Sequence, residues 1–92
     1  MIQHLDCGIS GKELSHNSYA FIKETATEFG IRGAAFTKVD GSIRVVAEGE
    51  EENLILFAEK LKEGGIFHQV ENFYANVSDP VENFGDFYVL DN

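Results

Sequence analysis

The sequence has few cysteines, few basic residues and no long apolar run, and each shortage excludes a class of protein. Its single cysteine, Cys7, cannot form an internal disulfide, so nothing in the chain points to an oxidising compartment and we expect a cytoplasmic protein. Cys7 stands at an apolar position of a predicted strand. A small buried thiol is far more common there than a reactive one.

Membrane and nucleic-acid partners are both disfavoured. No apolar stretch approaches the ~18 residues of a membrane-spanning helix, and no basic start followed by an apolar stretch suggests a signal peptide. Seven basic residues stand against sixteen acidic ones, and the net charge is -9. That charge repels a phosphate backbone or an anionic membrane over a Debye length of about 8 Å. We expect neither as a partner, and much of the acidic surface serves solvation.

Motifs for metals and nucleotides are also missing. The three histidines, His4, His16 and His68, do not have the close spacing of metal ligands, and no second cysteine accompanies Cys7. The chain contains no glycine-rich nucleotide fingerprint, no nucleophile elbow and no Cys/His nucleophilic pair. No metal and no cofactor are expected.

What the chain does have is apolar and aromatic residues. Hydrophobic residues make up 43% of its 92 positions, with eight Phe and three Tyr. This length suits one domain, 1–92, and the composition is sufficient for one core without metals or disulfides. No linker, repeat or low-complexity segment divides the chain.

The first part of the chain predicts a strand and then a helix. Residues 2–9 alternate with a period of two, and three apolar residues share one side: Leu5, Cys7 and Ile9. A polar loop follows, in which Asn17 and Ser18 are suitable N-caps for a helix over 19–29. Gly30 is well placed to end this helix.

A hairpin comes next. Residues 34–38 form its first strand, the chain turns at Asp40-Gly41, and Ile43, Val45 and Ala47 alternate along the second strand. An Asp-Gly pair between two such runs is a strong hairpin signal, because Gly accepts positive φ at almost no steric cost.

The second half predicts a helix and two strands. Three glutamates at 50–52 begin the helix, and its apolar stripe has helical spacing: Leu54, Phe57, Ala58 and Leu61. A fourth strand covers 67–77, before the turn-forming Asp79-Pro80, and a short fifth strand covers 87–90. This order is typical of a ferredoxin-like βαββαβ α+β sandwich, with two helices on one face of an antiparallel sheet and an extra C-terminal strand.

Four passages of the chain resemble the acylphosphatase family. They are Ser10-Gly11 at the end of strand one, residues 29–33 (FGIRG), residues 40–49 (DGSIRVVAEG) and residues 84–87 (FGDF). The third is very similar to the family's DGSVEVVAEG, and the last resembles its closing xFxxF pattern. The resemblance extends over nearly the whole chain and implies the same fold.

The resemblance also identifies where the family's phosphate loop should lie. In that family a loop of the form GxVQGVxFR folds its backbone N–H groups around a phosphate, and its final arginine pairs with the phosphate charge. Aligned from Ser10-Gly11 without a gap, this chain has Tyr19 at the arginine position, which we expect to be an exposed loop position. The candidates for a residual anion loop are Ser15, His16, Asn17, Ser18 and Tyr19.

The family's second catalytic residue is an asparagine whose amide orients the attacking water. Counting back from Gly41-Ser42, its position holds Thr37. A threonine side chain is shorter and offers one donor rather than two. Lys12 and Lys38 flank the loop and are candidates to supply a replacement charge, although lysine lacks the planar fork of arginine.

These residues leave three functions to weigh. We expect an acylphosphatase-like domain without acylphosphatase activity that binds a small anion or a protein. The alternative is a divergent, weak acylphosphatase that hydrolyses the carboxyl-phosphate bond of acyl phosphates, with Lys12 or Lys38 supplying charge. An RNA-binding module would use Val70 and Tyr74 on an exposed sheet face, but it needs a basic surround that this chain lacks.

Overall fold

The computed structural model of the chain describes residues 1–11, 16–63, 71–80 and 85–90. Its elements, in chain order, are β1 (Ile2–Ser10), α1 (His16–Glu28), β2 (Arg32–Thr37), β3 (Ile43–Glu50), α2 (Glu51–Glu63), β4 (Asn72–Ser78) and β5 (Phe87–Leu90). The predicted order of strands and helices is confirmed.

Five strands form one sheet in the order β4-β1-β3-β2-β5. The first four are antiparallel to their neighbours, whereas β5 runs parallel to β2. The predicted antiparallel sheet of four strands is confirmed, and the extra C-terminal strand, for which no direction was predicted, makes the whole sheet mixed. The architecture is the predicted ferredoxin-like α+β fold, with two helices on the sheet.

The core lies between the helices and one face of the sheet. The predicted alternation of β1 and β3 is confirmed, because their core-facing residues are buried: Leu5, Cys7, Ile9, Ile43, Val45 and Ala47. From α2 the predicted stripe contributes Leu54, Phe57 and Leu61, all fully buried. Phe57 packs edge-to-face on Phe87 of β5, with ring centroids 6.1 Å apart.

Helix α1 begins earlier than predicted. It starts at His16, so Asn17 and Ser18 lie inside its first turn and are not its N-caps. Ser18 and Tyr19 are both buried, so this turn packs against the protein, and that packing outweighs the weak helix propensity of its residues. The other end is as predicted, since Gly30 has a φ of +66° and follows directly after the last turn.

Strand β4 also differs from its prediction. It begins at Asn72, and Glu71 lies outside it, while residues 67–70 of the predicted strand lie outside the described residues. The backbone N–H of Glu71 donates to the Ser10 carbonyl oxygen at 2.8 Å, which joins the start of β4 to the end of β1. Among the helices that the structure describes, none is long and apolar enough to cross a membrane.

Candidate functional site

The structure brings together the two residues that the resemblance aligns with the family's arginine and asparagine, Tyr19 and Thr37. Tyr19 is in the first turn of α1, and Thr37 is the last residue of β2. Their side-chain oxygens, Oη of Tyr19 and Oγ1 of Thr37, are hydrogen-bonded to each other. The two positions are 18 residues apart in sequence, so this contact depends on α1 packing against the sheet.

We expected Tyr19 at an exposed loop position, and this prediction is wrong. Only 6% of Tyr19 is accessible to solvent. Tyr19 lies in the first turn of α1, and its side chain points towards the end of β2. Its phenol therefore fills space at the end of β2, and the Thr37 side chain on β2 is partly exposed beside it.

The remaining loop candidates are only partly described. Ser15 and Lys12 lie outside the described residues, and the backbone of His16 and Asn17 forms the start of α1. Ser18 is fully buried. The structure therefore places Ser18 and Tyr19 inside the packed part of α1.

Lys38 lies on the other face of the sheet from Thr37. Its N–H donates to the carbonyl oxygen of Ser42 at 2.7 Å, so the β pairing continues one residue beyond β2 and the side chains keep alternating. On that face Lys38 lines a cavity of about 400 Å³ together with Gly8, Ser10 and Tyr74. We call this sheet surface, opposite to the helices, the open face.

The hairpin turn beside this cavity is held by Asp40. Its Oδ1 atom accepts hydrogen bonds from the Ser42 hydroxyl at 2.6 Å and the Ser42 N–H at 2.9 Å. These bonds, the hydroxyl first, lower the pKa of the Asp40 carboxyl. The carboxylate therefore fixes the turn that the Asp-Gly pair predicted.

Two pairs of polar side chains lie on the open face, Asp6 with Arg44 and His4 with Glu48. Arg44 donates from Nε and Nη2 to the two carboxylate oxygens of Asp6, at 3.1 and 2.9 Å, and this bond raises the pKa of the guanidinium. His4 and Glu48 are both buried, and Nδ1 of His4 is 4.0 Å from Oε2 of Glu48. Among the residues that the structure describes, this His4 nitrogen has no hydrogen-bond partner.

Both arginines of the chain belong to the open face. Arg32 is opposite Glu48 in the β2–β3 register, and Arg44 is opposite Phe36, so the alternation directs both side chains away from the face that carries Thr37. Arg44 is already bonded to Asp6. Neither guanidinium therefore lies beside Tyr19 and Thr37.

The arrangement of residues on the open face was not predicted from the sequence. Gly8, Ser10, Asn72 and Tyr74 meet there because β1 and β4 pair in one register, and no local pattern in the sequence specifies that register. Within the described ranges, no group of three or more His, Cys, Asp or Glu side chains is close enough to hold a metal ion.

Cys7 is buried in the core and has no disulfide partner. Burial, with a smaller contribution from the charge of Asp6, raises the pKa of its thiol to about 12. The burial of Cys7 confirms the prediction of a buried thiol, and the raised pKa keeps this thiol protonated near neutral pH.

Comparison with known proteins agrees with this architecture. The acylphosphatase family model matches residues 19–89, a range that includes Tyr19 and Thr37 but not the loop before them. An acylphosphatase of Thermus thermophilus is 44% identical over 52 residues, which are 56% of this chain and about three fifths (59%) of that protein. One of Clostridium acetobutylicum is 29% identical over 70 residues, 76% of this chain and 77% of that protein.

The crystal structure of acylphosphatase from Bacillus subtilis superposes with a TM-score of 0.87 at 24% identity, and the match covers 98% of this chain and 99% of that one. At that identity the superposition establishes the fold alone. The family assignment comes from the family model, which covers most of the sequence. The chain therefore belongs to the acylphosphatase family.

Proposed function

We propose that this chain is an acylphosphatase-family domain without efficient acylphosphatase activity, and that it acts as a binding module for a small anion or a protein. The observation that carries this proposal is the hydrogen bond between the hydroxyls of Tyr19 and Thr37. The resemblance aligns these positions with the family's arginine and asparagine. Their contact in the structure supports that alignment, because catalytic partners must share one site.

The chemistry of the two hydroxyls argues against catalysis. A phenol carries no positive charge whether or not it is protonated, so Tyr19 cannot replace the guanidinium of an arginine. Both hydroxyls already bond each other, whereas the reaction needs donors directed at phosphate and water. Loss of one preorganised donor costs on the order of 10²–10³ in rate. In this chain the positions aligned with both the arginine and the asparagine hold other side chains.

The positions of the two arginines and of Lys38 support the same conclusion. Arg32 and Arg44 lie on the open face, and Lys38 lines the cavity there. A rescue of the charge by Lys38 would require its side chain to reach the opposite face of the sheet. Lys12, the other candidate of the weak-enzyme alternative, precedes α1 in the chain.

Hydrolysis of benzoyl phosphate tests this proposal. We expect the natural chain to show no turnover above that of a control lacking both candidate lysines, Lys12→Gln with Lys38→Gln. Turnover well above this control would contradict the proposal and favour the weak acylphosphatase.

A second variant tests whether the chain has lost a catalytic site at Tyr19 and Thr37. The double substitution Tyr19→Arg with Thr37→Asn restores the family's residues, and we expect it to gain activity over the silent parent. Because Tyr19 is buried, Tyr19→Phe with Thr37→Val is the matched control, and urea unfolding shows whether each variant is folded. A folded double variant as silent as this control would argue that Tyr19 and Thr37 do not occupy the catalytic positions.

A further inference from the structure

Strand β4 forms one edge of the sheet, and nearly all of it is exposed. Of its seven residues (NFYANVS), six are exposed and only Phe73 is half-buried. Tyr74 and Val77, which point to opposite faces of the sheet, are each 46% accessible. Apart from Phe73, which packs against the core, the apolar residues of β4 are exposed on both faces of the sheet.

This edge lacks the features that protect edge strands. Natural edges are blunted by charged residues, prolines, bulges or short length. Residues 72–78 contain no charge and no proline, and they pair with β1 in an unbroken register from Ser10–Asn72 to His4–Ser78. The opposite edge, β5, has only four residues. Among the described strands, β4 has a neighbour on one side only.

Charges lie at the two ends of β4. Glu71 and Asp79 flank the strand and are both exposed, and the main chain of Glu71 is fixed by its bond to Ser10. If two copies paired antiparallel about Ala75, Glu71 of each would face Asp79 of the other. Like charges opposite each other are destabilising, and each copy has a net charge of -9. A second copy is therefore a poor occupant.

We propose that the outer edge of β4 accepts an extended segment of a partner protein by strand addition, and that this segment has an uncharged, β-forming centre flanked by lysines or arginines. Backbone hydrogen bonds supply the affinity in this mode of binding, and the flanking charges select the partner. The inference rests on the proposed function, since it specifies the protein partner of a binding module.

A defined probe tests the proposal on the intact chain. It is a synthetic peptide of alternating threonine and valine residues with two lysines at each end. We expect its binding to shift the amide resonances of β4 more than those of α1 or α2, and its Kd to increase with salt because exposed charges are screened. The same peptide with glutamates in place of lysines should bind at least about tenfold more weakly.

Two variants locate the site. Ala75→Lys places a charge at the centre of the edge, and we expect it to raise the Kd for the lysine peptide at least about tenfold. Ile55→Lys is the matched control, because Ile55 is 46% exposed on α2 and receives the same charge. It should change the Kd by less than about twofold, since it leaves the edge unaltered.

A variant peptide keeps the test valid if Ala75→Lys fails to fold. Replacing the central valine of the peptide by proline removes a backbone donor, and it should weaken binding to the natural chain. Equal weakening by Ala75→Lys and Ile55→Lys, equal binding of the lysine and glutamate peptides, or peptide-independent dimerisation through β4 would each overturn the proposal. None of these outcomes depends on benzoyl phosphate, so failure here is distinct from failure of the proposed function.

Discussion

Strands β1 and β4 are direct neighbours, yet one is almost wholly buried and the other almost wholly exposed. They pair over seven positions, from His4–Ser78 to Ser10–Asn72, and both are rich in apolar residues. The difference is in their surroundings. Strand β1 has a strand on each side and α2 packed above it, whereas β4 is at the edge. Position in the sheet, more than the residue pattern, decides burial here.

The difference in burial between β1 and β4 is tested most strongly at one pair of opposite residues. Leu5 on β1 and Val77 on β4 are directly opposite, with Leu5 fully buried and Val77 46% exposed. We expect Leu5→Ala to lower the free energy of unfolding by about 3 kcal/mol, because it leaves a cavity in the core. Val77→Ala should cost less than about 1 kcal/mol. Urea unfolding measures both, and similar losses would show that β4 is packed as tightly as β1.

A second test uses pH and the core thiol. The pKa of Cys7 is raised to about 12, so above its ordinary value the folded state keeps a proton that the unfolded state loses. Unfolding then becomes easier as pH rises, by about 1.4 kcal/mol per pH unit between about pH 9 and about pH 12. Below about pH 9 this contribution is constant.

Cys7→Ala removes the contribution of the thiol and should make the dependence of unfolding free energy on pH less steep, by about 1.4 kcal/mol per pH unit over this range. Urea unfolding of both proteins at several pH values gives the two slopes. Parallel slopes would mean that the thiol is accessible and that β1 is less buried than described.

A third test concerns the contact between the two strands. A Cβ atom on Gly8 would lie 2.2 Å from Cε1 of Tyr74, so the tyrosine ring lies against the glycine of β1. We expect Gly8→Ala to displace this ring and to destabilise the protein by about 1–2 kcal/mol. In a Tyr74→Ala background the same change should cost almost nothing. Thermal unfolding of the four proteins completes the cycle, and an equal cost in both backgrounds would place the strain elsewhere.

The smallest effect is expected on the open face of β1. Asp6 and Arg44 form a bidentate ion pair, but their side chains are 30% and 41% exposed. Solvent screens such pairs, so we expect a coupling energy of about 0.5 kcal/mol from the cycle Asp6→Asn with Arg44→Gln. High salt should reduce it further. A coupling that is large and independent of salt would show that the open face is covered.

Local chemistry was sufficient to predict much of the fold. The Asp40-Gly41 turn, the alternation of β3 and the stripe of α2 follow from interactions within a few residues, and all are confirmed. The start of α1 was wrong because burial of Ser18 and Tyr19 on the sheet extends that helix. The parallel pairing of β5 with β2 was not predicted, because it is a long-range contact.

The candidate site was predicted less completely. The resemblance aligned Tyr19 and Thr37 with the family's arginine and asparagine, which stays a prediction, and only the packing of α1 on β2 shows that their hydroxyls bond. The face to which Lys38 belongs follows from the continuation of the hairpin pairing by its N–H. The exposure of β4 could not be read from its sequence, since its alternating apolar residues resemble those of a half-buried strand.

The final strand has a consequence for the order of folding. Strands β4 and β5 are consecutive in the chain but occupy opposite edges of the sheet, with β1, β3 and β2 between them. A nascent chain that ends before Phe87 leaves Phe57 without its edge-to-face partner. Completion of the core during synthesis must therefore wait for the last few residues of the described chain to leave the ribosome.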